Sequence, residues 1–256
     1  MNIVVYIKAI IDPDNAQDCL SNKSNKGSVI LNPYDKYAIE TALQLREKYK
    51  GNVTAVSLGT KTETEKVLRE ALSLGVDSAI TALDDKFSEI NAYSPSLGYI
   101  LGNLPIQKAD YYIVGREAAD DNQAVVGAGI AAALGTDFVD NVDEIKTQDN
   151  EQLTLVSRWD QSELSATYTQ KPLVISVTDT INTPRLPSFK TKIQARKAEI
   201  KEITVKQPKQ FEVKQLGNTK LALPELKKKT AVIFNLDEDE NAVNELFTKL
   251  QQQNIL

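Results

Sequence analysis

The feature that most constrains the fold is an alternation, from Ile3 to Gly135, of short apolar runs with longer segments of helical periodicity. The run Ile3–Ile7 contains only β-branched and aromatic residues, which is typical of a central parallel strand covered on both faces. The segment Tyr34–Lys48 repeats its apolar residues at helical spacing, with Pro33 at the first helical position. This alternation predicts an α/β fold with a doubly wound, mostly parallel, Rossmann-like sheet.

The same reasoning assigns the other elements of the first half of the chain. We expect strands at Ser28–Leu31, Val53–Leu58, Ser78–Ala82 and Asp110–Val114, and helices at Thr62–Leu74, Ser94–Leu104 and Asp120–Leu134. After Gly135 the pattern changes, and we expect strands in antiparallel hairpins or at edge positions at Gln152–Trp159, Glu163–Tyr168 and Leu173–Val177.

The C-terminal part of the chain has too little apolar periodicity for a core of its own. It predicts an extended arm that packs on something else and ends in an amphipathic helix at Glu240–Gln252. We therefore divide the chain into an α/β domain at residues 1–183 and an arm at residues 184–256.

Composition excludes several classes of function. The chain has no histidine and one cysteine, Cys19, which excludes Ser-His and Cys-His catalysis, histidine-ligated metals and an internal disulfide. We expect no catalytic residue and no metal ligand in this chain. The net charge of −5 disfavours nucleic acid as a partner. No apolar run approaches the ~20 residues of a membrane span, and the absence of a signal peptide together with the single cysteine predicts a cytoplasmic protein.

Ligands of an open parallel sheet bind beyond the carboxyl ends of its strands. Three segments are expected there: Tyr6–Lys8, Asn32–Asp35 and Gly115–Gly127. In the third, Gly115 permits a sharp turn and a helix starting near Asp120 would offer its N-terminal N–H groups to a phosphate. Asp120 or Asp121 could equally be a helix N-cap, as could Asn32, and Lys8 is most simply a solvated strand end.

Six segments, in order along the chain, resemble the β subunits of electron transfer flavoproteins, the family that includes FixA. They are IVVYIKAIIDPD at 3–14, LNPYDKYAIETALQLREK at 31–48, VSLGTKTETEKVLREALSLGVDSAI at 56–80, GREAADDNQAVVG at 115–127, TPRLPSFKTKIQARKAEI at 183–200 and ENAVNELFTKLQQQNIL at 240–256.

The resemblance implies an electron carrier. In that family the β subunit pairs with an α subunit that holds most of the FAD, and it binds AMP or a second FAD itself. The cofactor-binding residues implied here are Tyr6, Asn32, Pro33, Tyr34, Asp35, Leu58, Gly115, Arg116, Glu117, Ala118, Ala119, Asp120, Asp121, Asn122, Gln123, Ala124, Val125 and Val126.

The resemblance also implies a recognition loop, Arg185–Gln194, that meets a flavoprotein of the acyl-CoA dehydrogenase type. Its candidate contacts are Arg185, Leu186, Pro187, Ser188, Phe189, Lys190, Lys192 and Ile193, with Phe189 at the place of the family's usual leucine anchor. The basic run Lys190–Lys201 is either a solvated helix face or a docking patch for an acidic partner.

The nucleotide loop departs from the family pattern at four positions. Glu117 and Val125 replace glutamines, Gln123 stands where Thr, Ser or Cys is common, and Val126 stands where some members have Thr. A phosphate there would depend on backbone N–H groups. The expected function is electron transfer between flavin dehydrogenases and a quinone reductase or other acceptor. The alternatives are a stand-alone adenine-nucleotide module of the universal-stress type and a β subunit whose nucleotide site is empty and structural.

Overall fold

The computed structural model describes residues 1–12, 29–83, 94–147, 152–205, 232–235, 241–253 and 255. The chain forms two compact units, Met1–Gly217 and Asn218–Leu256. Cys19 lies outside the described residues. No helix in the described ranges is both long and apolar enough to cross a membrane.

The strands of the first unit form one large sheet and one small one. Their bounds are β1 (Asn2–Tyr6), β2 (Ala9–Ile11), β3 (Val29–Leu31), β4 (Asn52–Gly59), β5 (Ser78–Leu83), β6 (Tyr111–Gly115), β7 (Asp137–Thr147), β8 (Leu153–Trp159), β9 (Ser162–Tyr168), β10 (Leu173–Val177) and β11 (Ile200–Thr204). The large sheet has the order β11-β5-β4-β1-β6-β10-β7-β8-β9, and β2 pairs with β3. In the large sheet the pairs β7–β8 and β8–β9 are antiparallel and the other pairs are parallel.

Helices of the first unit cover both faces of this sheet. They are α1 (Pro33–Tyr49), α2 (Lys61–Leu74), α3 (Ser94–Gly102), α4 (Val126–Leu134) and α5 (Phe189–Lys197), and the second unit contains α6 (Ala242–Gln252). Ile3 and Val5 of β1 pack with α1 and α2, whereas Val4 and Tyr6 pack with α3 and α4. Because side chains alternate along a strand, a strand that is apolar throughout contributes side chains to the hydrophobic cores on both faces of the sheet. The predicted doubly wound α/β fold is confirmed.

The prediction that Leu173–Val177 lies in a hairpin or at an edge is wrong. This strand, β10, lies between β6 and β7 and is parallel to both, with every residue buried. Its five residues are mostly apolar, which is the pattern of a central strand. Its position near β8 and β9 in the chain led to the wrong pairing, because pairing is decided by nonlocal contacts.

Three further differences concern strands β7 and β11 and the start of α4. The sequence pattern did not reveal β7, and β11 occupies the end of the basic run, where Ile200 pairs with Ala79 of β5. Helix α4 begins at Val126 rather than near Asp120. Asn122 and Ala124 have φ values of 50° and 54°, which an α-helix does not accommodate.

Candidate functional site

A cleft opens at the carboxyl ends of β1 and β6, where the strand order reverses. After β1 the chain builds β4 and β5 on one side and then β6 on the other, so this point is the topological switch of the sheet. The cleft is lined by Tyr6, Ile7, Lys8, Asn32, Asp35, Leu58, Leu97, Leu101, Val114, Gly115, Arg116, Glu117, Ala118, Asp121, Gln123, Ala124, Val125, Val126 and Gly127.

The floor of the cleft is apolar, and Tyr6 belongs to it. The Tyr6 ring stacks on Tyr112 with centroids 6.2 Å apart, and its hydroxyl donates to the carbonyl oxygen of Leu101 at 2.9 Å. Burial raises the pKa of the Tyr6 phenol. Tyr6 therefore stays neutral and, with Leu58 and Val114, forms part of the apolar floor.

Asn32 and Asp35 join three separate segments at the polar side of the cleft. Asn32 Nδ2 donates to Asp35 Oδ1 and to the carbonyl oxygen of Glu117, each at 2.9 Å, and Asn32 Oδ1 accepts from Ala119 N at 3.1 Å. The Asn32 side chain makes no capping hydrogen bond to α1, so the prediction that it caps this helix is wrong. Its carboxamide instead holds the loop after β6 against the start of α1.

The Asp35 carboxylate is buried and accepts the backbone N–H of Lys8 at 2.7 Å. Burial raises its pKa to about 7, although hydrogen bonds from Lys8, Asn32 and Gly115 act in the opposite direction. Asp35 thus connects the end of β1, the start of α1 and the end of β6. Asp35 therefore helps to shape the cleft.

Gly115 is required at the end of β6 by close packing. A Cβ at this position would lie 2.6 Å from Asp35 Oδ1 and 2.8 Å from the carbonyl carbon of Tyr34. The glycine therefore lets the strand end approach the first turn of α1 closely. The sequence analysis singled out Gly115 for a sharp turn, whereas the structure requires a glycine there for close packing.

The acidic residues of the nucleotide loop are paired with cations. Lys8 Nζ lies 2.8 Å from Asp120 Oδ1 and 3.2 Å from Asp121 Oδ2, and Arg116 Nη2 lies 3.3 Å from Glu117 Oε1. Glu117 also bonds to the Tyr34 hydroxyl, and burial and this contact together raise the Tyr34 pKa. The predictions that Lys8 is a solvated strand end and that an aspartate caps the next helix are wrong. Two cations therefore pair with the three carboxylates of this loop.

The N-terminus of α4 lies at one wall of the cleft. Its N-cap is Val125, which offers no side-chain cap, and the first intrahelical bond runs from Gly129 N to Val125 O at 3.1 Å. The first N–H groups of a helix have no partner within it and carry partial positive charge. The cleft thus combines an apolar floor with helix N–H groups that can donate to an anion.

The structure brings together most of the predicted cofactor residues. Thirteen of the predicted residues line the cleft; Pro33, Tyr34, Ala119, Asp120 and Asn122 do not. Ile7, Lys8 and Gly127 also line the cleft and lie within the segments expected at the site, whereas the sequence did not single out Leu97, Leu101 and Val114. Leu97 and Leu101 belong to α3, and their apolar side chains in the sequence predicted only that they are buried in the hydrophobic core.

The recognition loop lies at the surface of the first unit. Leu186 and Phe189 are 91% and 81% exposed, far beyond what is usual for large apolar side chains. Ser188 caps α5 by accepting from Thr191 N at 3.1 Å. Lys190 and Lys192 are exposed, so the loop presents two apolar side chains beside positive charge.

Comparison with known proteins identifies the family. The model of the electron transfer flavoprotein domain matches residues 24–208. An electron transfer flavoprotein subunit beta of Thermoanaerobacterium thermosaccharolyticum is 33% identical over 80% of this chain and 78% of its own length. One of Mycobacterium tuberculosis is 30% identical over 100% and 99%. Protein FixA of Bradyrhizobium diazoefficiens is 28% identical over 78% and 72%.

The chain belongs to the electron transfer flavoprotein family, as its sequence segments predicted. Membership carries a role in flavin-linked electron transfer, and similarity to β subunits implies an α subunit as partner.

Proposed function

We propose that this chain is the β subunit of a heterodimeric electron transfer flavoprotein. It would pass electrons from flavin dehydrogenases of the acyl-CoA dehydrogenase type to a quinone reductase or another acceptor, in the cytoplasm. FAD, held mainly by the α subunit, supplies the electron acceptance and donation. The residues of this chain bind and orient, which is consistent with the absence of histidine.

The observation that carries this proposal is the cleft at the switch point. It combines an apolar floor with the uncapped N-terminus of α4, and its neighbouring carboxylates are paired with Lys8 and Arg116. These features support binding of AMP, or of the adenosine part of a second FAD, with the phosphate held by backbone N–H groups. The valines at 125 and 126 are compatible with this mode because it needs no side-chain donor.

Two surfaces support partner binding. The recognition loop presents Leu186 and Phe189, an arrangement suited to insertion into an apolar pocket of a dehydrogenase. In the second unit, α6 leaves Val243, Leu246 and Phe247 between 41% and 58% exposed. An amphipathic helix with an exposed apolar face favours docking on a groove of another chain. We assign this face of α6, within the proposed arm at residues 184–256, to the α subunit.

Co-expression with the α subunit of the same organism tests the proposal. The complex is purified through a tag on this chain and denatured, and the released flavin and adenine nucleotide are quantified. FAD and AMP in equal amounts support the proposal, and twice as much FAD as complex without AMP assigns the second FAD to the cleft. FAD alone would overturn nucleotide binding, and failure to recover the α subunit would overturn the heterodimer.

A pair of variants locates the nucleotide in the cleft. Val126→Glu places a carboxylate at the first residue of α4, where it would repel a phosphate, although a glutamate in the first turn is favourable for the helix itself. Val126→Gln has nearly the same shape without the charge. We expect the glutamate variant to lose AMP and the glutamine variant to keep it. Equal AMP in both would place the nucleotide elsewhere.

A further inference from the structure

We propose that Arg185 is a positioning residue: its ion pair with the buried Glu40 of α1 holds the recognition loop in the conformation that meets the dehydrogenase. The inference rests on the proposed function for the identity of the partner, but the contact itself belongs to this chain. Arg185 stands at the first position of the loop, directly before the exposed Leu186.

Glu40 is an unusual residue for the inner part of a helix, because its side chain is only 6% exposed and carries a charge. The Arg185 guanidinium donates to both oxygens of the Glu40 carboxylate, from Nε to Oε2 at 2.7 Å and from Nη2 to Oε1 at 3.0 Å. The Arg185 backbone N–H donates to Oε2 at 3.3 Å, and Gln44 Nε2 donates to Oε1 at 2.9 Å. The buried carboxylate is thus satisfied mainly by the loop.

The third contact of the guanidinium is at the surface. Arg185 Nη1 lies 2.6 Å from Glu47 Oε1, about two helical turns beyond Glu40 on α1. Hydrogen bonding from Arg185 lowers the pKa of the Glu47 carboxyl, and the two carboxylates raise the pKa of Arg185. The guanidinium therefore stays charged, and its planar fork fixes the direction of the chain at the start of the loop.

Other contacts attach the chain on both sides of the loop. Before it, Asn182 Nδ2 donates to Tyr37 O at 3.1 Å and to Thr41 Oγ1 at 2.8 Å, both on α1. After it, Arg69 of α2 donates to the carbonyl oxygens of Ala195 and Ala198 at the C-terminal end of α5. The loop is therefore anchored to two helices of the sheet domain, and the apolar side chains project from between these anchors.

Anchoring has a physical purpose at such a surface. Apolar side chains on a disordered loop lose conformational entropy when they bind, and a loop ordered in advance avoids that loss. The exposed Lys190, Lys192, Arg196 and Lys197 surround the projecting side chains with positive charge. The geometry fits an apolar pocket with an acidic rim on the partner flavoprotein.

The test uses the complete α–β complex with three substitutions. Arg185→Lys keeps the charge and loses the two-armed geometry. The double variant Arg185→Gln with Glu40→Gln removes both charges, so that no buried carboxylate is left uncompensated. Arg158→Lys is the matched control, because Arg158 of β8 also binds carboxylates through two guanidinium nitrogens, those of Asp143 and Glu163, and these partners lie outside the recognition loop. Amide hydrogen exchange of residues 182–192 and steady-state reduction of the complex by an acyl-CoA dehydrogenase are measured for each.

We expect Arg185→Lys to speed exchange in this segment and to raise the KM for the complex, each by about tenfold, with kcat at saturation unchanged. The double variant should be more stable than Arg185→Lys but keep the raised KM, and Arg158→Lys should change neither the exchange of residues 182–192 nor the KM. Unchanged exchange in Arg185→Lys, or a double variant with wild-type exchange and KM, would overturn the positioning role. Phe189→Ala distinguishes the two proposals: if it leaves KM unchanged, the proposed docking fails, and the exchange data alone then decide the role of Arg185.

Discussion

The ammonium group of Lys8 lies 2.8 Å from Asp120 Oδ1, although the two residues are separated by 112 positions in the chain. The contact connects the end of β1 to the nucleotide loop. Lys8 Nζ also lies 3.2 Å from Asp121 Oδ2, so one cation contacts both aspartates of that loop at the cleft.

Replacing Lys8 with glutamine should reduce the AMP retained by the purified complex. The two aspartates would lose their counter-ion, and their charge would then disfavour a phosphate at α4. The free energy of unfolding should fall by about 1 kcal/mol or less, because such partly exposed pairs contribute little to stability. Lys36→Gln, which breaks the exposed Lys36–Glu70 pair, is the control and should retain full AMP. Equal AMP in both variants would contradict the role of Lys8.

Stability should depend on pH through Asp35. Its pKa is raised from the ordinary 3.8 to about 7, so the folded state binds a proton that the unfolded state releases between these values. The stabilising effect of protonation is complete below pH 3.8 and disappears as the pH rises through 7. Relative to Asp35→Asn, the wild type should therefore lose stability between about pH 4 and pH 7 and change little above. Urea unfolding across this range measures it, and parallel curves for the two proteins would refute it.

Gly115→Ala should damage the cleft and the fold together. The added methyl group would overlap Asp35 Oδ1 and the backbone of Tyr34, and relief of such overpacking costs about 1–3 kcal/mol. AMP should be lost because the loop and α1 must separate. Gly75→Ala is the comparison: its Cβ would meet no atom within 4 Å, but its φ of 116° strains any side chain. That variant should lose stability and keep AMP, and a similar loss of AMP in both would point to general destabilisation.

Phe189→Ala should slow electron transfer from an acyl-CoA dehydrogenase by about tenfold in kcat/KM, the usual effect of truncating an anchor residue. Bound FAD and stability should be unchanged, because the side chain is 81% exposed. Leu164→Ala, on β9, removes another exposed apolar side chain and should have no effect on the rate. Loss of flavin in Phe189→Ala would show that the recognition loop has been misassigned.

The elements that the sequence predicted well are those whose signal is local. Strand β1 is apolar at every position and α1 is periodic from its proline onward, and both were found within one or two residues of their expected bounds. Helix α2 was expected at Thr62–Leu74 and spans Lys61–Leu74, followed by Gly75 in a left-handed C-cap conformation. The spacing of apolar residues shows whether an element is buried on one face or on both. Such an element can therefore be predicted without knowing which elements it packs against.

Pairing and polar contacts required the tertiary structure. The central place of β10, the addition of β11 beside β5 and the late start of α4 depend on residues far apart in the chain. The same holds for the Asn32 carboxamide, for which a local cap and a bond to the loop at 117–119 were equally compatible with the sequence.

The fold class, the family and the exclusion of histidine chemistry follow from the amino-acid sequence, because apolar periodicity, motif order and composition are properties of the chain alone. The arrangement of the charges becomes visible only in three dimensions. Lys8 pairs with Asp120 and Arg185 with the buried Glu40, across 112 and 145 positions. An ion pair depends on distance in space, and the doubly wound sheet sets that distance by bringing the ends of its strands and helices together.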